Sequence, residues 1–423
     1  MSETAPAPAA ERIDALDMLR GAAILGILFM NIIALGVSMV GGEHPPLYIR
    51  SPADEAAYLT LGTAVAGTMR GMLSLLFGAG VILVTKAMDE RPYPQAADIY
   101  YRRTIALVVM GIVHGYVVLW PGDILMIYGL AGFFLFPWRK VRASRLIAAG
   151  VVGIALMSAV GSFGAWHSHQ EIAEAQAIAA RDASTWTAEE RTQVEEWRAS
   201  ARGPSPEEIA EEHEMRMGGY LQNARLMVRI MELWNGWGGL VWWTLDALSF
   251  MLIGMGLFKL GVLSGTRSLQ FYAIGALVFY GIGLPSSYLA THTQMADNFA
   301  PGGPLWPVAT MQLRRLAVTL GHVCLLLALW KSFAQPVLRV VLAPGRAALS
   351  VYIGQSVLCT LLFAGFGLGL HARYMLADLM LIAAGVNAVL MILAWGWLAF
   401  FRMGPLEWAW RGFTYGKLPP LRR

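Results

Sequence analysis

Apolar segments long enough to cross a ~30 Å hydrocarbon core as helices, about 20 residues each, recur along this chain from Ala15 to Phe401. That recurrence restricts the fold to a polytopic membrane bundle. Composition agrees. Of 423 residues, 57% are hydrophobic and 14% charged, where a soluble domain carries roughly 25% charged residues. The mean hydropathy is +0.53. The expectation is an all-α polytopic membrane protein, one bundle over residues 1–423, with about ten spans. The spans fall at 15–40, 67–87, 104–120, 123–138, 146–166, 239–262, 269–290, 316–333, 345–370 and 374–401.

Residues 167–233 break the pattern. They are acidic, and Thr187-Ala-Glu-Glu190 and Ser205-Pro-Glu-Glu208 have the form of capping boxes. Amphipathic helices outside the membrane are expected there. Residues 404–423 carry Trp408, Trp410, Phe413 and Tyr415, which suit an interfacial helix. Basic residues gather after the second, fourth, sixth, eighth and last spans, Lys259, Lys331 and Arg339 among them. The positive-inside rule then puts both termini in the cytoplasm and the acidic insertion outside. Arg314 and Arg315 open the eighth span on the disfavoured side; a functional pull or snorkelling explains them equally well. The pI near 9.1 reflects basic loops and calls for no nucleic acid. Cys324 and Cys359 lie in apolar segments and read as free thiols. The N-terminus lacks the basic region and cleavage site of a removable signal. No phosphate loop, HExxH, Cys/His cluster or GxSxG elbow occurs, so no metal is expected.

Ionisable groups inside hydrocarbon are costly and usually face a protein interior or a wet cavity. The first span holds Asp17, Arg20 and Asn31. Asp17 and Arg20 are spaced to pair on a helix. Arg20 and Asn31 lie on one face, roughly 16 Å apart in depth. Sorted by depth, Asp17, Arg20, Arg70 and Arg346 belong near the inner face, with Arg402 and Arg411 as further candidates there. Asn31, His114, Asp123, Asp246, Arg315 and His322 belong in the middle and outer half. Buried arginines can hold phosphates bidentately, and a histidine beside a carboxylate can act as a general base. Structural alternatives stand beside each reading. Asp17–Arg20 can lock a helix end, His114 in Gly111-Ile-Val-His-Gly115 can bridge close-packed helices, and Asp123 can cap the fourth span. Asp246 can partner an arginine, and Arg346 can snorkel. Ser350, Tyr352, Gln355 and Ser356 read as interhelical bonds.

The blocks LDMLRGAAILGILFMNI, SLLFGAG, YYRRTIALVVMGIVHGYVVLWPGDILMIYGLAGFFL, MLIGMGLFKLGVLSG, GRAALSVYIGQS and GPLEWAWRGFTYG resemble the YeiB-type bacterial inner-membrane family, a domain-of-unknown-function family. They cover nearly the whole chain, in order. That family is similar to a wider group of transmembrane acyltransferases, including the type-three acyltransferases and the lysosomal heparan-α-glucosaminide N-acetyltransferase. The resemblance implies a ten-helix core, cytoplasmic acyl-CoA such as acetyl-CoA as donor, and a small-molecule, glycan or lipid acceptor. In the type-three enzymes an Arg is followed, ten residues on, by a His thought to be catalytic. Arg20 matches the Arg, but Asn31 stands at the His position, and it cannot act as a base.

Two function classes follow. In an acyltransferase, Arg20, Arg70 and Arg346 hold the phosphates, Asp17 orients Arg20, His114 is the base with Asp123 orienting it, and Asn31 donates to the oxyanion. In a transporter or flippase for a small anionic or lipid-linked compound, the same groups line a route; no inverted repeat supports the common transporter folds. A scaffold with purely structural polar groups is the third reading. The GxxxG-like patch and aromatic tail permit a homodimer.

Overall fold

The computed structural model describes residues 13–39, 44–86 and 93–423. The expectations for residues 1–12, including a cytoplasmic N-terminal tail, and for the ends of the first two spans at 40 and 87 lie outside the described residues. Helices follow one another as α1 (Asp14–Gly36), α2 (Pro52–Thr60), α3 (Thr68–Lys86), α4 (Tyr93–Tyr116), α5 (Leu125–Leu135), α6 (Ala143–Ala179), α7 (Ala188–Arg202), α8 (Pro206–Met217) and α9 (Tyr220–Asn235). Then come α10 (Trp237–Lys259), α11 (Leu269–Ala296), α12 (Trp306–Trp330), α13 (Gln335–Leu338), α14 (Leu342–Arg346), α15 (Ala348–Phe363), α16 (Leu376–Phe400) and α17 (Pro405–Tyr415). Apart from one bridge between Phe401 and Arg422, the described residues hold no β-structure.

The protein is an all-α polytopic membrane bundle. Among the described residues seven helices are long and apolar enough to cross a bilayer, or eight if the pair 335–346 and 348–363, bent by 79°, counts as one broken span. Ten spans are therefore not all matched. The fourth expected segment forms α5, whose 11 residues extend about 16 Å, short of the hydrocarbon thickness. α4 is long enough, but its first half carries Asp98, Arg102 and Arg103.

The exposed face explains the solvent. Val151, Val152, Leu156, Val160 and Phe163 on α6, Leu277 and Ile282 on α11, and Leu381, Ile392 and Leu393 on α16 all point outward. Such a continuous apolar belt is covered by lipid rather than water. α1 occupies the centre, packed against α3, α14, α15 and α16. Its approach to α14 is backbone to backbone. A Cβ on Gly345 would lie 1.8 Å from the Asp17 carbonyl oxygen, and one on Gly21 would lie 2.0 Å from that of Val341.

Outside the bundle, α6 runs 37 residues without a break, so the insertion begins as a continuation of the fifth span. Both capping boxes form: Glu190 N donates to Thr187 Oγ1 (3.2 Å), and Glu208 N to Ser205 Oγ (3.1 Å). The insertion is pinned to α1. The Glu212 carboxylate accepts from Ser38 Oγ and from Met39 N, and Arg216 donates to Glu212 (3.0 Å) and to the Ala34 carbonyl (3.3 Å). His213 Nδ1 meets His371 Nδ1 at 3.1 Å. Burial, with the Arg216 charge beside it, lowers the His371 pKa to about 4.

Candidate functional site

A cavity of about 360 Å³ opens at the end of the bundle where α1 begins, within the range of small-molecule sites. Among the described residues its mouth carries four arginines, Arg20, Arg103, Arg346 and Arg411, against two carboxylates, Asp17 and Glu407. Each is there for a local reason. Asp17 and Arg20 lie one turn apart on α1 and pair at 2.9 Å. Arg346 sits at the break between α14 and α15 and bonds Asp14 (2.8 Å), with Asp17 at 3.6 Å. Arg103 stacks on Trp410 at 3.7 Å, and Trp410 Nε1 donates to the Arg103 carbonyl (3.0 Å). This contact folds α17 back onto α4, so the tail is part of the cavity wall as well as an amphipathic helix.

Glu407 caps the broken span. Its carboxylate accepts from Leu349 N (2.7 Å), Ser350 N (3.3 Å) and Ser350 Oγ (2.6 Å), satisfying donors at the α15 start. Burial raises its pKa, against those bonds.

Deeper, the wall becomes apolar, with Leu73, Leu76, Phe77, Leu107 and Leu125, and ends at Tyr128 and Tyr352. Tyr128 donates to the Arg70 carbonyl (3.0 Å) and meets Ser74 Oγ (2.8 Å). Tyr352 Oη accepts from Trp120 Nε1 and Ile124 N, both 3.2 Å.

Behind Tyr352 lies the pair expected from the sequence. His114 Nδ1 and Asp123 Oδ1 are 2.7 Å apart, both side chains buried. A carboxylate only accepts, so Nδ1 donates, and in a neutral imidazole Nε2 then holds the lone pair. Nε2 has no hydrogen-bond partner among the described residues. Asp123 Oδ2 also accepts from Met126 N (2.7 Å), so capping and orienting coexist in one carboxylate. The Gly111 end of the small-residue pattern makes this possible, since a Cβ there would lie 2.2 Å from Met126 N. His114 does not itself line the cavity. Its ring packs on Tyr352 with centroids 4.9 Å apart.

Two expected site residues are elsewhere. Arg70 is near the start of α3, at the opposite end from Arg20, and pairs with Asp246 at 3.2 Å. The reason is topological: the second span enters from the far side, so its first turn cannot reach the α1 start. Arg315 joins the same carboxylate at 2.5 Å, which gives the misplaced eighth-span arginine its partner. Arg70 and Arg315 also lie over Trp243 and Phe250, each at 4.4 Å. Asn31 lines neither this cavity nor the second one below, and among the described residues no hydrogen bond joins it to His114 or Asp123. His322 is used structurally, meeting the Ala64 carbonyl (2.7 Å) and Tyr280 Oη (2.6 Å). The described residues contain no cluster of three or more metal-ligating side chains.

Arg103, Glu407 and Tyr352 join the site without having been expected there. Arg103 lies just ahead of the expected third span, and Tyr352 read as an interhelical bond. Glu407 had only its isolation in an aromatic tail as a signal.

A second cavity, of about 550 Å³, lies at the opposite end. Along α1 the first cavity reaches Ile24 and the second begins at Met30, so about 9 Å of helix separates them.

The family model described as "Protein of unknown function (DUF418)" matches residues 257–417, which hold Arg346, Tyr352, Glu407 and Arg411. "Uncharacterized protein YxaH" of Bacillus subtilis (strain 168) is 27% identical over 100% of this chain and 99% of its own length. "Uncharacterized protein YeiB" of Escherichia coli (strain K12) is 29% identical over 96% of each chain. The chain is similar to these YeiB-type proteins over nearly its whole length. Both full-length matches extend over α1, α4 and α5, so the likeness spans the whole cavity wall and the histidine–aspartate pair.

Proposed function

We propose that this YeiB-type protein is an inner-membrane acyltransferase, taking an acyl group from cytoplasmic acyl-CoA and passing it to an acceptor at or across the bilayer. One observation carries the reading: a cavity with a basic mouth and an apolar depth ends one side chain, Tyr352, short of a buried His–Asp pair with a free Nε2. Arg20, Arg103, Arg346 and Arg411 present forks suited to phosphate oxygens. The apolar depth suits an acyl-pantetheine arm, with the nucleotide left at the mouth. When Tyr352 turns aside, His114 Nε2 takes the proton of an acceptor hydroxyl or amine, and Asp123 holds the imidazole in place. The acceptor atom bonds to the thioester carbonyl carbon, the C–S bond breaks, and the CoA thiolate leaves and takes up a proton.

Orientation is supported by charge. Lys259 bonds the carbonyls of Arg139 and Val141 at the end where α6 begins. Those basic connections gather at the end that opens the first cavity, which the positive-inside rule places in the cytoplasm.

A transporter or flippase remains the second reading, favoured by two cavities at opposite ends with a thin partition. The deciding experiment supplies proteoliposomes with radiolabelled acetyl-CoA and a membrane extract. Acyl transfer predicts label in a covalent product, lost in His114→Ala with CoA binding kept. Passage of an intact anionic solute without covalent change would replace this reading with the second.

A further inference from the structure

The second cavity has the opposite chemistry from the first. Its walls come from α1, the 45–66 segment, the outer part of α6 and the connection between α11 and α12. Among the described residues one carboxylate, Asp297, lines it, and no lysine or arginine does. Asp297 closes α11 and makes no ion pair among the described residues. Arg314, on the neighbouring α12, is turned to the Pro307 carbonyl and Thr310 Oγ1 and does not line the cavity. Tyr58 and Phe299 form an aromatic side, edge to face with centroids 5.3 Å apart. Phe299 reaches that position through a left-handed backbone, φ 58° after Asn298 at φ 48°, which non-glycine residues rarely adopt. His169 Nδ1 is buried in the wall without a partner among the described residues.

We propose that this cavity binds a compact organic cation, a primary amine or quaternary ammonium, arriving from the face opposite the arginine-rich mouth. Asp297 supplies the counter-charge, the aromatic side attracts a cation through its ring faces, and His169 Nδ1 is free to meet an N–H or hydroxyl group. With no lysine or arginine among the described lining residues, anions are disfavoured. The inference is independent of the acyl-transfer reading, because none of these residues lines the first cavity.

The test is the melting temperature of the detergent-purified full chain with choline or putrescine, against glycerol and acetate at matched ionic strength. Specific binding to the native state raises it by mass action. The expected result is a saturable rise with the two cations only. Asp297→Asn should weaken the apparent Kd at least tenfold, and Ala300→Trp, which fills the lined space with the charge intact, should abolish the rise. Stabilisation by CoA should be unchanged in both. No cation-specific rise, an equal rise with glycerol or acetate, or an unchanged Kd in either variant would overturn the proposal. Should Asp297→Asn not fold, Ala300→Trp decides alone.

Discussion

Asp246→Asn removes the one carboxylate that, among the described residues, Arg70 and Arg315 share. Asp246 is 2% exposed and Arg315 7%, so water cannot replace the lost charge at Arg315. Breaking a buried ion pair from one side costs about 3–5 kcal/mol, because the remaining charge stays buried. Here two cations are left facing each other, although a quarter of the Arg70 side chain is accessible and can hydrate. A loss near 4 kcal/mol is therefore expected, within that general range. Arg315→Met in the same background removes the worse-placed cation. The double variant should then be more stable than Asp246→Asn alone. Reversible unfolding in mixed micelles, read by tryptophan fluorescence over the four-protein cycle, measures the coupling. Additive losses, or a change in Asp246→Asn below about 1 kcal/mol, the scale of exposed pairs, would refute the claim that this triad is an electrostatic unit.

Asp123→Asn keeps an acceptor for Met126 N but donates toward His114 Nδ1, moving the proton to Nε2. Acyl transfer should fall by roughly 10²–10⁴, the span of general-base catalysis, with melting nearly unchanged, whereas Asp123→Ala also loses the cap, at about 1 kcal/mol. His371 has a folded pKa lowered from 6.5 to about 4, so its neutral form is the native one. Its contribution is full above pH 6.5 and is lost as pH falls toward 4, on the order of 3 kcal/mol at most. Melting curves from pH 7.5 to 4.5 should show that slope, flattened in His371→Gln. Gly345→Ala places a Cβ 1.8 Å from the Asp17 carbonyl, so α1 and α14 must separate. A loss of at least 1–3 kcal/mol and weaker CoA binding are expected from thermal titration.

Helix type was legible because lipid enforces long apolar runs, whereas seven or eight candidate spans among the described residues stand against the ten expected. The residues of α6, α11 and α16 stand as read. α5 did not, since its 11 residues sit inside an apolar segment extended by the Phe136–Lys140 turn. The His114–Asp123 pair was legible because nine residues and a Pro–Gly turn make its closure local. Arg70 was not, because its depth depends on which way the second span runs, and simple spacing within the segment carries no direction. Glu407 was hidden for another reason. Its partners Leu349 and Ser350 are more than fifty residues away, and no local pattern announces a helix cap supplied from another helix.

The central claim is that the basic-mouthed cavity is an acyl-CoA site. The most direct test is the melting temperature of the purified protein with acetyl-CoA, longer acyl-CoAs, free CoA and ATP, in wild type and Arg20→Ala. The account predicts a CoA-specific rise that grows with acyl length, as more apolar wall is covered, and that Arg20→Ala abolishes. No rise with any CoA species, or the same rise with ATP, would contradict it.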